Sequence, residues 1–513
     1  MTESARMTIA LAPGGHGAAL ARRWAVPVLV GVGAFAVCIR QAQALLNDGD
    51  TMMHIAVGRW IMAHHALPVH DPFSFTAHGS PWVPHEWLSE VIFATAYGWL
   101  GWGGVVATAG LAIAAAFALL TRALEPTLGP RRAAIAAVLA LLLSIAHFLA
   151  RPHVLAWPLM VVWMAGIIQA RDRDRVPSFW LLPVMIVWCN LHGGFIVGLA
   201  MAGLLAIEAA ATSPAGSRLH AMRGWAGFIG LAALAGLLSP NGINLYLLPV
   251  KMLRMTFAVT NISEWQGAHF SGFNPLELWI ALVALGGFGL GLRLPWSRLL
   301  MVLLLLYEAL THVRNQELLG IVVPLLVAAP LARQLAPAKP QFAGPAAAGQ
   351  LRPTDGLPAA LAAAVVMLGF VATAVALDRR GLEPPGAAAP TAAVAAARAA
   401  GVTGHVLNSY RVGGYLIFVG IPVFIDGRAD LYGDAFIKRF AQALEGVGDG
   451  LPALIKEYAI DWAILDPNSP AETILDHLPA WRQIYADKYA VVFRRAVGRK
   501  ADEAAGAPPD RRP

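Results

Sequence analysis

Apolar positions in this chain come in long unbroken runs, where a water-soluble protein would show two- or 3.6-residue alternation. A helix crossing ~30 Å of hydrocarbon needs about 20 such residues, fewer when it packs inside a bundle, and about eleven stretches qualify on that criterion. They lie near 24–46, 102–122, 132–149, 154–170, 178–191, 193–211, 224–238, 276–292, 297–312, 315–333 and 358–377, the fifth and seventh being short. A further apolar stretch, 86–100, is short and Trp-rich. It is expected to lie as an amphipathic helix at the membrane interface within a long loop, 47–101, that follows the first span.

Past the last span the pattern changes. Residues 336–357 and 378–399 are rich in Pro, Ala and Gly and read as a linker on the cytoplasmic side and a tether. Between 400 and 495, β-like runs (Gly414-Tyr-Leu-Ile-Phe-Val-Gly420, Pro422-Val-Phe-Ile-Asp426, Trp462-Ala-Ile-Leu465, Tyr489-Ala-Val-Val-Phe493) alternate with helical stretches near 434–445, 451–458 and 470–480. The expected architecture is an α-helical polytopic membrane domain (1–377) carrying a small α/β domain, followed by a disordered polar tail from 496 to 513. No internal repeat and no large basic patch is present.

Composition sharpens this reading. Of 513 residues, 57% are hydrophobic and 13% charged, against roughly 25% charged in soluble chains. That excludes an ordinary soluble enzyme, a disordered chain and a nucleic-acid-binding module. The net charge of +7 fits the excess of arginine expected on the cytoplasmic loops of a polytopic membrane protein. With the N-terminus inside, alternation places Arg122, Arg131, Arg132, Arg171, Arg173, Arg175, Arg218, Arg223, Arg293, Arg298 and Arg333 on the cytoplasmic side. Loops assigned outside carry few: Arg59, Arg151, Lys251, Arg254 and Arg314. The C-terminal α/β domain then lies outside. The basic start, apolar core and Ala42-Gln43-Ala44 also fit a signal peptide, but the polar residues just after the run are placed as if the helix is retained. Cys38 and Cys189 fall in apolar stretches and build neither a disulfide framework nor a metal site.

Ionisable groups concentrate at the outer boundaries. The first loop carries Asp48-Gly-Asp50-Thr-Met-Met-His54, Arg59, Asp71 and His85-Glu86; later boundaries add Arg151-Pro-His153, Asn190-Leu-His192, Asn241, Glu264-Trp265 and Arg314-Asn315. Such parts suit a reaction at a membrane surface with an anionic lipid-linked reactant. A carboxylate can take a proton from an acceptor hydroxyl, and Arg or His can neutralise a phosphate leaving group. Plainer readings stand beside these. Asp48 or Asp50 can cap the helix starting near Met52, and Arg151 and Arg314 can snorkel to the surface. Asn190 and His192 can hydrogen-bond structurally where a short span ends. His54, His85 and Glu86 could hold a divalent metal with the aspartates, although their spacing matches no metal motif. Asp426-Gly-Arg428-Ala-Asp430 reads either as a ligand loop after a strand or as a tight turn with a buried Arg–Asp pair.

A retained first helix, an acidic pair directly after it, a long outer loop, many spans and an outer soluble domain resemble the GT-C-fold glycosyltransferases. These include protein O-mannosyltransferases and aminoarabinose, arabinofuranosyl and oligosaccharyl transferases. A finer resemblance, to a bacterial group of glycosyltransferase-like membrane proteins, runs through Asp48-Gly-Asp50-Thr-x-x-His54, Asp71-Pro72-Phe73-Ser74-Phe75-Thr76 and His85-Glu86-Trp87-Leu88. It continues in Asn190-Leu-His192-Gly193-Gly194-Phe195, Ser239-Pro-Asn241-Gly242, Arg314-Asn315 and Ile425-Asp426-Gly427-Arg428-Ala-Asp430-Leu-Tyr432-Gly433. Two departures from the better-known GT-C transferases stand out: the acids are Asp-Gly-Asp where those enzymes place adjacent acids, and Arg151-Pro-His153 occupies the second outer loop where many of them place a carboxylate.

The resemblance implies an inverting transferase in a bacterial cytoplasmic membrane, moving sugar from a polyprenyl-phosphate donor to an outer-face acceptor glycan, lipid or protein, with no nucleic-acid partner. On it, Asp50 is the expected base and Asp48 its partner. His54, Arg151, His153 and Arg314 are candidates for donor phosphate. His85, Glu86, Asn190, His192, Asn241, Glu264, Trp265 and Asn315 are candidates for shaping the acceptor site. Tyr415, Asp426, Arg428, Asp430 and Tyr432 are the outer-domain candidates. No cofactor is required by this reading, a divalent metal staying open. The alternatives are a non-catalytic partner in envelope-polymer assembly and a lipid-linked substrate transporter.

Overall fold

The structure, a computed structural model, describes residues 15–262, 265–270, 272, 274–335 and 356–496. Glu264, most of the 336–357 linker and nearly all of the tail lie outside the described residues. The membrane domain is helical: α1 Gly15–Arg40, α2 Ala42–Leu45, α3 Gly49–His64, α4 Trp87–Leu128, α5 Pro130–Ser144, α6 Pro152–Asp172, α7 Leu181–Leu191 and α8 Phe195–Thr212. These are followed by α9 Ala215–Gly236, α10 Asn244–Leu253, α11 Thr256–Asn261, α12 Pro275–Leu290, α13 Trp296–Thr311, α14 Gln316–Leu335 and α15 Gly356–Arg379.

Each of the eleven apolar runs falls largely within helix. Among the described residues six helices are long and apolar enough to cross a membrane: Arg23–Arg40, Trp87–Leu128, Pro130–His147, Pro152–Asp172, Phe195–Thr212 and Val313–Leu335. Leu181–Leu191 and Pro275–Gly289 are shorter apolar helices.

Helix α4 is the centre of the bundle, with α1, α3, α6 and α15 packed on it. At ~1.5 Å per residue its 42 residues are about twice as long as a bilayer core is thick. The helix is broken where that length demands it. Leu100 and Gly101 leave helical geometry, Gly101 at φ +57°, so the stretch expected at the interface is a separate helical segment ending beside Trp99. A side chain at Gly101 would run into the Asp378 carboxylate at the end of α15. Small residues let the backbones approach, as lipid-embedded helices require. A Cβ on Gly31 would touch Ala118 at 3.1 Å, and one on Gly110 would touch Phe35 at 3.2 Å.

Helix ends that arginine placement puts on one side do meet. At one end of the bundle Arg298 Nε donates to Glu208 Oε2 (2.8 Å) and Nη2 to Asp172 Oδ1 (2.8 Å). Arg171 Nε lies 3.1 Å from the same Glu208. This ties α6, α8 and α13 together at the end opposite the C-terminal domain.

The C-terminal domain contains α16 Thr391–Ala399, β1 His405–Asn408, α17 Gly413–Phe418, α18 Ala429–Tyr432, α19 Asp434–Leu444, α20 Gly450–Glu457, β2 Ile460–Leu465, α21 Pro470–His477, β3 Trp481–Ala486 and β4 Val491–Arg495. The sheet order is β1-β2-β4-β3, with β1 parallel to β2 and the other pairs antiparallel. Four details differ from the sequence reading. Gly414–Gly420 is not a strand: it falls mainly in α17, because a short apolar run has no distinguishing period, and Gly414 packs on Gly49 of α3. The run 422–426 stays out of the sheet, and Val423 bridges to Ser74 of the first loop. Strands β1 and β3 were not read. Residues 391–399, read as tether, form a helix whose Ala393, Val394 and Ala397 are buried in the domain.

Candidate functional site

The site is assembled where α3 begins. Asp48 is the N-cap of α3, its Oδ1 accepting from Asp50 N at 2.8 Å. Capping fixes the Asp-Gly-Asp turn with one oxygen of Asp48 and leaves its Oδ2 for a second partner. Arg151, immediately before α6, reaches both acids: Nη1 lies 3.1 Å from Asp48 Oδ2 and Nη2 lies 2.8 Å from Asp50 Oδ2. One guanidinium thus spans two carboxylates, the forked geometry that lysine cannot supply.

One turn further along, His54 is buried between two glutamates. Its Nδ1 lies 3.3 Å from Glu90 Oε1 and its Nε2 3.7 Å from Glu86 Oε2. Burial pushes the imidazole down to about 4, against the pull of Glu86 and with Arg151 adding to the depression. His85 Nε2 (3.7 Å) and His192 Nε2 (3.5 Å) approach the other Glu86 oxygen. His192, in the turn between α7 and α8, is held well below the ordinary histidine range by burial, then by His153, Arg314, His85 and Arg151. Among the described residues no group of three or more His, Cys, Asp or Glu side chains is arranged to hold a metal ion.

The other expected residues divide into positioning and peripheral groups. Asn190 carries the plainer role: its Oδ1 accepts from the Trp87 indole (2.7 Å) and its Nδ2 donates to Ile186 O (2.7 Å). Asn241 Nδ2 donates to Pro84 O at 3.1 Å, pinning the loop ahead of His85. His153 Nε2 lies 3.0 Å from His147 O, and its ring is 6.2 Å from that of His192. Arg314 stacks over Trp265 at 4.4 Å, with Asn315 Nδ2 donating to Glu308 Oε2 at 3.2 Å.

The C-terminal domain closes over this cluster. Arg428 is buried and donates from Nε to Asp426 Oδ1 (2.8 Å), from Nη2 to Asp426 Oδ2 (2.7 Å) and from Nη1 to Asp71 Oδ1 (2.6 Å). The Tyr432 hydroxyl donates to Asp426 Oδ2 at 2.6 Å. Burial alone would raise Asp426; Arg428 overrides it and holds the carboxyl below its usual range. Of the two readings of Asp426-Gly-Arg428, the buried pair in a tight turn is the one found, and it reaches across to the first loop. Thr76 Oγ1 donates to Phe424 O (2.6 Å), and Phe75 N to Val423 O (3.1 Å). Arg59 of α3 stacks between Tyr97 and Phe418 of α17. Tyr415 is buried at the same seam. Asp430 has its backbone oxygen bonded by Lys251 Nζ at 2.6 Å, and burial raises its carboxyl.

Two participants escaped the sequence reading of the site. Glu90 stands one helical turn after Glu86, a spacing that places both on one face. Asp71 was visible in a motif, but its partner lies over three hundred residues away.

No protein-family model matches the chain, and no curated protein matches it. Among solved structures, ArnT from Cupriavidus metallidurans bound to undecaprenyl phosphate is similar at 16% identity, with 91% of this chain and 97% of that chain covered and a TM-score of 0.48. The apo state of the same protein is similar at 15% identity, with 92% and 98% covered and a TM-score of 0.49. At such identity no residue role is carried across from it.

Proposed function

We propose that the protein is an integral membrane glycosyltransferase that moves a sugar from a polyprenyl-phosphate donor to an acceptor at the membrane face bearing the C-terminal domain, the outer face in this reading. The observation that carries this is the Arg151 guanidinium shared by Asp48 and Asp50 at the start of α3. A cation clamped on two carboxylates is a stable resting arrangement, and the incoming phosphodiester monoanion of the donor competes for the same fork. When phosphate takes Arg151, Asp50 is released as a base. Asp50 then accepts the acceptor hydroxyl's proton, and that oxygen forms its bond to the anomeric carbon. The bond from that carbon to the phosphate oxygen breaks, and polyprenyl phosphate leaves with the electron pair, its charge met by Arg151. Attack opposite the leaving group inverts the anomeric centre.

His54, kept neutral, and Glu86 and Glu90 form the floor beside the acids. His85 and His192 approach the same oxygen of Glu86 and are the proposed acceptor contacts; Arg314 and His153 are the proposed contacts to the donor phosphate. In protein reconstituted in nanodiscs, Asp50→Asn should keep the fold and donor binding while transfer falls by at least ~10²-fold, the range for removing a general base. Wild-type turnover by Asp50→Asn removes the assignment.

A further inference from the structure

We infer that the C-terminal domain is part of the catalytic centre and that its Gly427 seats the Asp50 carboxylate, an inference that rests on Asp50 being the base. A Cβ built on Gly427 would come within 3.0 Å of Asp50 Oδ1, Cγ and Oδ2, and these three atoms are its nearest neighbours. Gly427 is not among the residues with positive φ, so its backbone conformation is open to other residues. What requires glycine there is space, and the space is filled by the reacting carboxylate.

The loop cannot retreat to make room. On either side, Asp426 and Arg428 are locked to each other, and Arg428 to Asp71 of the first loop. Against its start, Gly413 of α17 leaves no room: a Cβ at 413 would come within 3.0 Å of Ile425 O and of Asp426 Cα and Cβ. A methyl at 427 is therefore relieved by the softest element, the Asp50 side chain, which must swing off its 2.8 Å contact with Arg151. The C-terminal domain thus sets where the carboxylate stands. Gly427 is a positioning residue in this account, and displacement of a reacting group by ~1 Å can cost ~10²-fold in rate.

The test uses full-length protein in nanodiscs carrying Gly427→Ala, with a polyprenyl-phosphate sugar as donor. The expected result is a kcat lowered ~10–100-fold with the donor KM within about threefold of wild type. Thermal midpoints supply an activity-free reading. The methyl should lower the midpoint when Asp50 is present and cost nothing in an Asp50→Ala background, a coupling that a double-mutant cycle isolates. Unchanged kcat in Gly427→Ala overturns the inference and leaves the transferase reading standing. An equal thermal cost in both backgrounds also overturns it, because the methyl then meets something other than Asp50. A folded wild type that transfers no sugar overturns both.

Discussion

Replacing Arg428 by Met keeps the apolar stem out to about the position of Nε but removes the guanidinium, and with it the cation that joins the C-terminal domain to the first loop. Asp426 is 0% and Asp71 1% exposed, so two carboxylates are left buried without their cation. Each keeps partial support: Asp426 has the Arg428 backbone N–H and the Tyr432 hydroxyl, and Asp71 has the backbone N–H groups of Phe73 and Ser74. Breaking a buried pair from one side costs about 3–5 kcal/mol. Protonation offers a second route. At pH 7, neutralising one of the two carboxyls, with an ordinary value near ~4, costs about 4 kcal/mol at about 1.4 kcal/mol per pH unit.

The second route has a signature. In the wild type, Asp426 is depressed in the folded protein, so its contribution is present above the unfolded value of ~3.9 and is lost as pH falls through the folded one. In Arg428→Met the neutralisation cost shrinks toward about 1.4 kcal/mol at pH 5. Thermal unfolding of the two proteins in the same detergent, followed by Trp fluorescence, should show the variant several degrees lower at pH 7.5 and the gap narrowing by pH 5. Co-melting at pH 7.5, or a gap independent of pH, would refute the reasoning.

Two further predictions concern other parts of the molecule. Arg298→Met leaves Glu208 and Asp172 without their shared cation at the far end of the bundle, so the midpoint should fall while donor affinity, measured by retention of a labelled polyprenyl-phosphate sugar, stays within about twofold. His54, held at about 4 when folded against ~6.5 unfolded, takes up its proton first in the unfolded chain. Stability should therefore be flat above pH ~7 and fall between ~6.5 and 4, with His54→Gln flattening that slope; a slope unchanged in His54→Gln would show that His54 does not carry it.

The sequence was informative wherever one dimension suffices. Continuous apolar runs marked the helices, and Asp48-Gly-Asp50 marked the start of α3 because an N-cap is a local device. The break at Gly101 coincided with the boundary between a Trp-rich stretch and a span. Parity of arginines grouped Arg171 and Arg298 at one end of the bundle, and their shared Glu208 bears this out. What stayed hidden depends on chain segments meeting. The bond from Arg428 to Asp71 and the closeness of Gly427 to Asp50 are contacts through which the C-terminal domain docks on the first loop and on α3. No local pattern encodes that docking. Asn190 had a plausible role in the site and is instead spent on Trp87 and Ile186, as a buried amide must be when donors and acceptors lie within reach.

The central claim is that the acidic turn and Arg151 serve a lipid-linked phosphosugar. The measurement that tests it most directly is incubation of the purified wild-type protein in nanodiscs with a small panel of radiolabelled polyprenyl-phosphate sugars, beside Arg151→Gln. The account predicts that the wild type retains at least one donor and releases or transfers its label, and that Arg151→Gln loses that retention while remaining folded. A folded wild type that retains none of the panel, or an Arg151→Gln variant that retains donor as well as wild type, contradicts it.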